Sequence, residues 1–208
     1  MIAGVYMAIN KIKIMGIGGG GCNAVNHMII SGINAVDFIA VHMEKHILDR
    51  SIAPVKLKIG DNQKGYTEII GSDAAARAAE KNSGKIFTAI ESADLIIIIA
   101  GMGGIVGTGA APAIAKTAKN HGIGTVGIVT KPFEFEGKKK MMYAEKGISE
   151  MMKYTDTLIT IPCDELLKKF SKKLSVTEAF REVDEVLKQK VEIYLNIVKS
   201  PTNHISSP

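Results

Sequence analysis

Residues 95–119 constrain this chain more than any other stretch. Leu95-Ile96-Ile97-Ile98-Ile99 is short, uncharged and rich in β-branched residues. Ala100-Gly101-Met102-Gly103-Gly104-Ile105-Val106-Gly107-Thr108-Gly109 follows it and leads into residues 110–119, which have helical composition. The expected order is therefore strand, glycine loop, helix. Glycines let backbone N–H groups approach a ligand without a Cβ in the way, and a helix starting just behind adds its own unpaired N–H groups and dipole. On this loop alone a phosphate cradle and a purely structural turn both fit. The arrangement occurs twice. Residues 11–17 read as a buried strand, Gly18-Gly19-Gly20-Gly21-Cys22-Asn23 as its loop, and residues 24–31 as a helix with Val25, Met28 and Ile29 on one face and Gly32 as its stop.

The remaining segments continue the alternation. Residues 36–41 read as another buried strand, with His42-Met43-Glu44 at the carboxyl end, where parallel sheets bind ligands. Residues 55–59 alternate apolar residues with lysine, as an edge strand would, and residues 60–71 are rich in turn formers. Ser72 and Asp73 are N-cap candidates for an alanine-rich helix through about Glu80, closed by Asn82-Ser83-Gly84, and residues 85–92 give a shorter helix. Residues 124–130 form a strand that must turn at Pro132, residues 138–152 a helix, and residues 157–161 a strand ended by Pro162. Ser175 opens a capping box with Glu178, and apolar positions from Val176 and Phe180 to Val198 keep helical spacing until Pro201. At 1.5 Å per residue, about 23 residues make a helix of roughly 35 Å. The pattern predicts an α/β fold, a doubly wound and mostly parallel sheet with helices on both faces, ending in a long helix. Residues 1–10 are expected as a short leader, 11–199 as one domain and 200–208 as a tail.

Composition narrows the function classes. The 208 residues carry a formal charge of +5, but the lysines are scattered and no aromatic residues are interleaved with them, so a nucleic-acid partner is not expected. Residues 95–115 are uncharged and long enough to cross a bilayer, yet Pro112 and five glycines in that window argue against a membrane span. Cys22 and Cys163 form neither a zinc spacing nor a disulfide framework, which fits a reducing, cytoplasmic setting.

Five motifs, in order and spacing, carry a family resemblance: Gly18-Gly19-Gly20-Gly21-Cys22-Asn23-Ala24-Val25-Asn26, Ala100-Gly101-Met102-Gly103-Gly104, Gly107-Thr108-Gly109-Ala110-Ala111-Pro112, Phe135-Glu136-Gly137-Lys138 and Glu178-Ala179-Phe180-Arg181-Glu182. Over residues 11–191 the chain resembles the nucleotide domain of FtsZ, the bacterial relative of tubulin. A generic dinucleotide fold fits less well, because the four-glycine run lacks the usual third glycine and only Glu44 could end the second strand on a ribose. The resemblance implies a guanine-nucleotide-binding cell-division protein of the septation machinery, with GTP or GDP as ligand and Mg²⁺ beside the phosphates. It implies phosphate contacts at Gly19, Gly20, Gly21, Cys22, Gly103, Gly104, Ile105, Val106, Gly107 and Thr108. Asn23 would reach the ribose and base, and Glu136 the ribose with Lys140 close by. Phe180 would stack on the guanine and Asp184 would accept its N1–H and amino hydrogens.

Several departures bear on activity. The family's Gly-Gly-Gly-Thr-Gly-Thr-Gly has Ile105 and Val106 at its third and fourth positions here, and its Asn-Thr-Asp is His42-Met43-Glu44. Its Ala-Gly-Ala-Asn loop is replaced around Ile69-Ile70-Gly71, Cys163 stands where it has Asn, and Lys140 where it commonly has Arg. The sequence stops at Pro208, so the family's acidic catalytic loop and second domain are expected to be absent and independent GTP hydrolysis to be weak. No catalytic residue is assigned. Implied partners are further copies or full-length FtsZ-like subunits, joined head to tail. The alternative is a nucleotide-free relative that caps or regulates filaments of a full-length homologue.

Overall fold

The computed structural model describes residues 9–60, 71–168 and 174–199. The expected leader, the 200–208 tail and the replaced loop around Ile69 and Ile70 lie wholly or mostly outside those residues. Strand β1 (Ile12–Ile17) runs directly into α1 (Gly18–Ile30), followed by β2 (Asp37–His42), a short α2 (Lys45–Arg50) and β3 (Val55–Lys58). Helices α3 (Ser72–Lys81) and α4 (Ser83–Ile90), separated by Asn82 alone, lead into β4 (Leu95–Gly101), α5 (Ile105–Asn120) and β5 (Gly124–Lys131). A 3-10 turn at Glu134–Glu136, α6 (Lys138–Met151), β6 (Thr157–Pro162), α7 (Cys163–Leu167) and α8 (Val176–Lys199) follow among the described residues.

The six strands form one sheet in the order β3-β2-β1-β4-β5-β6, with every neighbouring pair parallel. The alternation of Val55 and Leu57 with Lys56 and Lys58 marks β3 as an edge, and it takes that place. In β4, Leu95, Ile97 and Ile99 face one layer with α1 and α8, while Ile96, Ile98 and Ala100 face the other with α3 to α6. Both faces of the central strand are dry, which is why its sequence reads as a continuous apolar run rather than an alternation. Each of these isoleucines contributes about 1.5–3 kcal/mol through burial. Strand order reverses between β1 and β4, so α1 and α5 leave for opposite faces and a crevice opens above the strands' carboxyl ends.

The main differences from expectation concern where helices begin. The glycine runs are not free loops. Helix α1 starts at Gly18, whose φ of 77° a side chain would disfavour, and α5 starts at Ile105, leaving only residues 102–104 between strand and helix. A Cβ at Gly21 would run into the Ile99 carbonyl. The glycines therefore bring α1 down onto β1 and β4, an effect of packing that periodicity does not reveal. Helix α3 is capped by Gly71 and not by Ser72 or Asp73, and no side chain bonds its N-terminus. The capping box is present: Ser175 N–H and Oγ both donate to Glu178 Oε2, at 2.8 and 2.6 Å, and Glu178 N–H donates to Ser175 Oγ at 3.3 Å. Among the described residues no helix is long and apolar enough to cross a membrane.

Candidate functional site

The crevice at the topological switch has two lobes. The first, about 200 Å³, lies between the start of α1, the turn after β5 and the buried side of α8. The second, about 240 Å³, lies between the first turns of α1 and α5 and the end of β2. Gly20, Gly101 and Gly104 line both, so the two form one cleft.

The first lobe gathers Asn23, Glu136, Lys140, Phe180 and Asp184, which are spread over more than 160 positions of sequence. Helix α8 supplies Phe180, Val183, Asp184 and Leu187, one helical stripe. Phe180 stays 43% exposed and meets buried Phe133 edge-on, with centroids 5.3 Å apart. The 3-10 turn fixes Glu136, whose Oε1 accepts from Phe133 N–H at 3.0 Å and whose Oε2 accepts from Lys140 Nζ at 2.9 Å. This carboxylate is thus held in place with its charge partly offset. Asp184 is different. It is half-buried and accepts no hydrogen bond from any described residue, and burial pushes its carboxyl up to about 6. An unpartnered carboxylate in a mostly apolar wall costs stability, which a ligand donating two N–H bonds would repay.

The second lobe is built mainly of backbone. Gly19, Gly20, Gly104, Ile105, Val106 and Gly107 line it with His42 and Glu44. The first intrahelical bond of α5 runs from Thr108 N–H to Gly104 O at 3.0 Å, so the N–H groups of residues 105–107 precede the helix ladder. Those of the first turn of α1 do likewise. Two helix N-termini therefore converge on one recess, an arrangement that favours an anion. Ile105, 53% exposed, and half-buried Val106 give this recess an apolar rim.

Four residues assigned to phosphate from the sequence do not line the cleft: Gly21, Cys22, Gly103 and Thr108. Cys22 sits on the buried face of α1, its Sγ 3.6 Å from Gly16 O and 3.8 Å from Val41 O, and burial pushes its thiol up to about 11. Gly103 (φ 96°) donates its N–H to Thr108 Oγ1 at 2.8 Å, which closes the three-residue turn from behind. Thr108 instead borders a separate cavity of about 240 Å³ between α3, α5 and α6. Cys163 does line the first lobe, and its thiol is pushed up to about 12, chiefly by burial. Sequence reasoning left Thr130, Lys131 and Met102 unassigned. Their positions at or just past strand carboxyl ends were the available signal.

The sequence model of the Tubulin/FtsZ family, GTPase domain, matches residues 11–171. The chain belongs to the tubulin/FtsZ family. It is 44% identical over 191 residues to "Cell division protein FtsZ" of Buchnera aphidicola subsp. Baizongia pistaciae, covering 91% of this chain and 50% of that protein. Identity to the protein of the same name from Buchnera aphidicola subsp. Acyrthosiphon pisum is 42%, with the same coverage. The chain thus spans about half the length of these relatives. Among solved structures, an empty FtsZ dimer from M. jannaschii superposes with a TM-score of 0.84 at 32% identity, over 92% of this chain and 56% of that one. A GTPγS-bound CetZ2 protofilament from Haloferax volcanii reaches 0.78 at 20% identity, over 93% and 60%, a likeness of fold alone. The six-stranded parallel sheet ending in a long helix is the FtsZ-type fold, and residues 11–171 carry the family's GTPase domain.

Proposed function

We propose that this chain binds a guanine nucleotide across the two lobes, as a domain of an FtsZ-like cell-division protein. Asp184 carries the reading: it is the half-buried, unpartnered acceptor of the first lobe, and guanine offers N1–H and an exocyclic amine side by side, where adenine offers no N1–H. Phe180 packs on the base, Asn23 reaches the base and ribose, and the Glu136–Lys140 pair holds a ribose hydroxyl. Backbone N–H groups of Gly19, Gly20, Gly104 and residues 105–107 take the phosphates. Gly21, Cys22, Gly103 and Thr108 shape these two turns from behind.

Mg²⁺ in this reading is held largely by phosphate oxygens, because no group of three or more His, Cys, Asp or Glu side chains gathers among the described residues. Turnover by the isolated chain is expected at background. Among the described residues Glu44 is the one carboxylate that lines the recess, and it is exposed and paired with His46 at 3.3 Å. Filament partners, whether further copies or full-length FtsZ-like subunits, belong to the same proposal and are supported by the 42–44% identity to proteins named for cell division. The apolar rim of Ile105 and Val106 favours a second reading, a nucleotide-free regulator of such filaments. Calorimetric titration of GDP with Mg²⁺ separates the two: saturable one-site binding supports the first, and no heat of binding up to millimolar ligand the second. Protein-dependent phosphate release from GTP would overturn the expectation of background turnover.

A further inference from the structure

Helix α1 lays Gly20 and Asn23 along the first lobe, and the stripe they define continues one turn further to His27. His27 lies about 6 Å along the helix from Asn23 and lines neither lobe. Across from it on α8 stands Glu185, the neighbour in sequence of Asp184. His27 Nε2 and Glu185 Oε2 are 3.0 Å apart, and both side chains are mostly buried. The other carboxylate oxygen, Oε1, accepts from Lys188 Nζ at 2.8 Å and from Gln189 Nε2 at 3.0 Å, each about one helical turn on. These three donors, Lys188 foremost, hold the Glu185 carboxyl down at about 2. A carboxylate so held only accepts, so His27 Nε2 carries the hydrogen and the histidine is the donor, whether its ring is neutral or charged.

We propose that the His27–Glu185 bond is a latch outside the cleft, which fixes the rotation of α8 against α1 and so aims the Asp184 carboxylate at the bound base. The proposal deepens the guanine-nucleotide reading and rests on it. Both members are positioning residues, because neither lines the cleft. Val25 and Met28 of α1 and Val183 and Leu187 of α8 belong to one apolar core, but apolar packing is non-directional and tolerates a small turn of one helix against the other. A hydrogen bond between the helices does not. Glu185 and Asp184 are consecutive on one rigid helix, so a turn of α8 that parts Glu185 from His27 swings Asp184 through the same angle. A partly exposed ion pair is usually worth little, since two long side chains must be immobilised to make it. Here Lys188 and Gln189 already hold the carboxylate, so His27 meets an acceptor that is in place.

The test is a double-mutant cycle with a rescue. GDP and ADP are titrated calorimetrically with Mg²⁺ at pH 7.5 into the 208-residue chain and into H27A, E185A, the double variant and H27Q, whose amide N–H reaches the position of Nε2. Each single truncation is expected to weaken GDP about threefold to fivefold, with ADP, which offers Asp184 no N1–H, staying within about twofold. The double variant should lose no more than either single one, and H27Q should recover most of the loss. A merely structural bond would lower the melting temperature and leave the ratio of GDP to ADP affinity where it was. That result, losses that add in the double variant, ADP weakening in step with GDP, or H27Q binding no better than H27A would overturn the latch and leave the guanine site standing. A wild-type chain with no preference for GDP over ADP overturns the guanine-nucleotide reading, and this proposal with it.

Discussion

Where Phe180 and Asp184 face the cleft, its wall is made of side chains held by the long helix; where Gly19 and residues 105–107 face it, the wall is mostly backbone at two helix N-termini. The two lobes are joined at three glycines yet obey different physics. A side-chain lobe can discriminate between ligands, because a carboxylate matches one donor pattern and rejects another. A backbone lobe can hold charge but needs little from its side chains, so the apolar rim of Ile105 and Val106 need not abolish it. The comparison predicts that base selectivity is the sturdier property of this chain and phosphate affinity the weaker.

The largest way to break the comparison is to destroy both lobes at once. Gly21→Val places a side chain against the Ile99 carbonyl and pushes α1 off the sheet. It should cost about 3 kcal/mol or more and lower Tm by about 6–12 °C, read by thermal circular dichroism. An unchanged melt would mean that α1 is not packed as described.

Asp184 sharpens the difference in a second way. Its carboxyl stands at about 6, above the ordinary 3.8, so between those values the folded chain holds the proton more tightly than the unfolded chain does. The group's contribution to stability therefore falls as pH rises through that window, and the whole penalty is in place above about pH 6. Asp184→Asn removes it and should raise Tm at pH 7.5 by about 2–4 °C, with little change at pH 4. Bound guanine needs the ionised form, so GDP affinity should weaken by up to tenfold per unit as pH falls below about 6, a dependence that the variant lacks. A variant less stable at pH 7.5 would show that the carboxylate has a structural partner after all.

Smaller effects belong to the backbone lobe. Val106→Thr keeps the side-chain shape and restores a hydroxyl at the rim. It should tighten GDP about threefold to tenfold while leaving GMP alone, as calorimetry would report. Smallest is the response of the thiols. Burial slows alkylation of both, and bound GDP should slow Cys163 further, because it lines the first lobe, while Cys22, on the sheet-facing side of α1, should be indifferent. Equal protection of both cysteines by GDP, followed by mass spectrometry, would place Cys22 nearer the nucleotide than the packing allows.

Much of this was legible in the sequence because the signals were local. Ser175 and Glu178 announced the start of α8, the lysines of β3 announced an edge, and the unbroken apolar run of β4 announced a strand covered on both faces. The gathering of the first lobe was legible through the resemblance, since Asn23, Glu136, Phe180 and Asp184 line it as a set. The start of α1 was not, because glycine has poor helix propensity and what draws Gly18 to Gly21 into a helix is close contact with β1 and β4. The same tertiary cause hid the roles of Gly103 and Thr108, which face each other and not the cleft. Two short helices, α2 and α7, carry too few turns for periodicity to declare them.

The most direct test is the ratio of GDP to ADP affinity at pH 7.5, in the presence of Mg²⁺, for the wild-type chain and for Asp184→Ala. If a side-chain lobe reads guanine, the wild-type ratio is at least about tenfold and the variant's falls to within about threefold of unity. A wild-type chain that binds both nucleotides equally, or a variant that keeps its preference for GDP, would contradict the account.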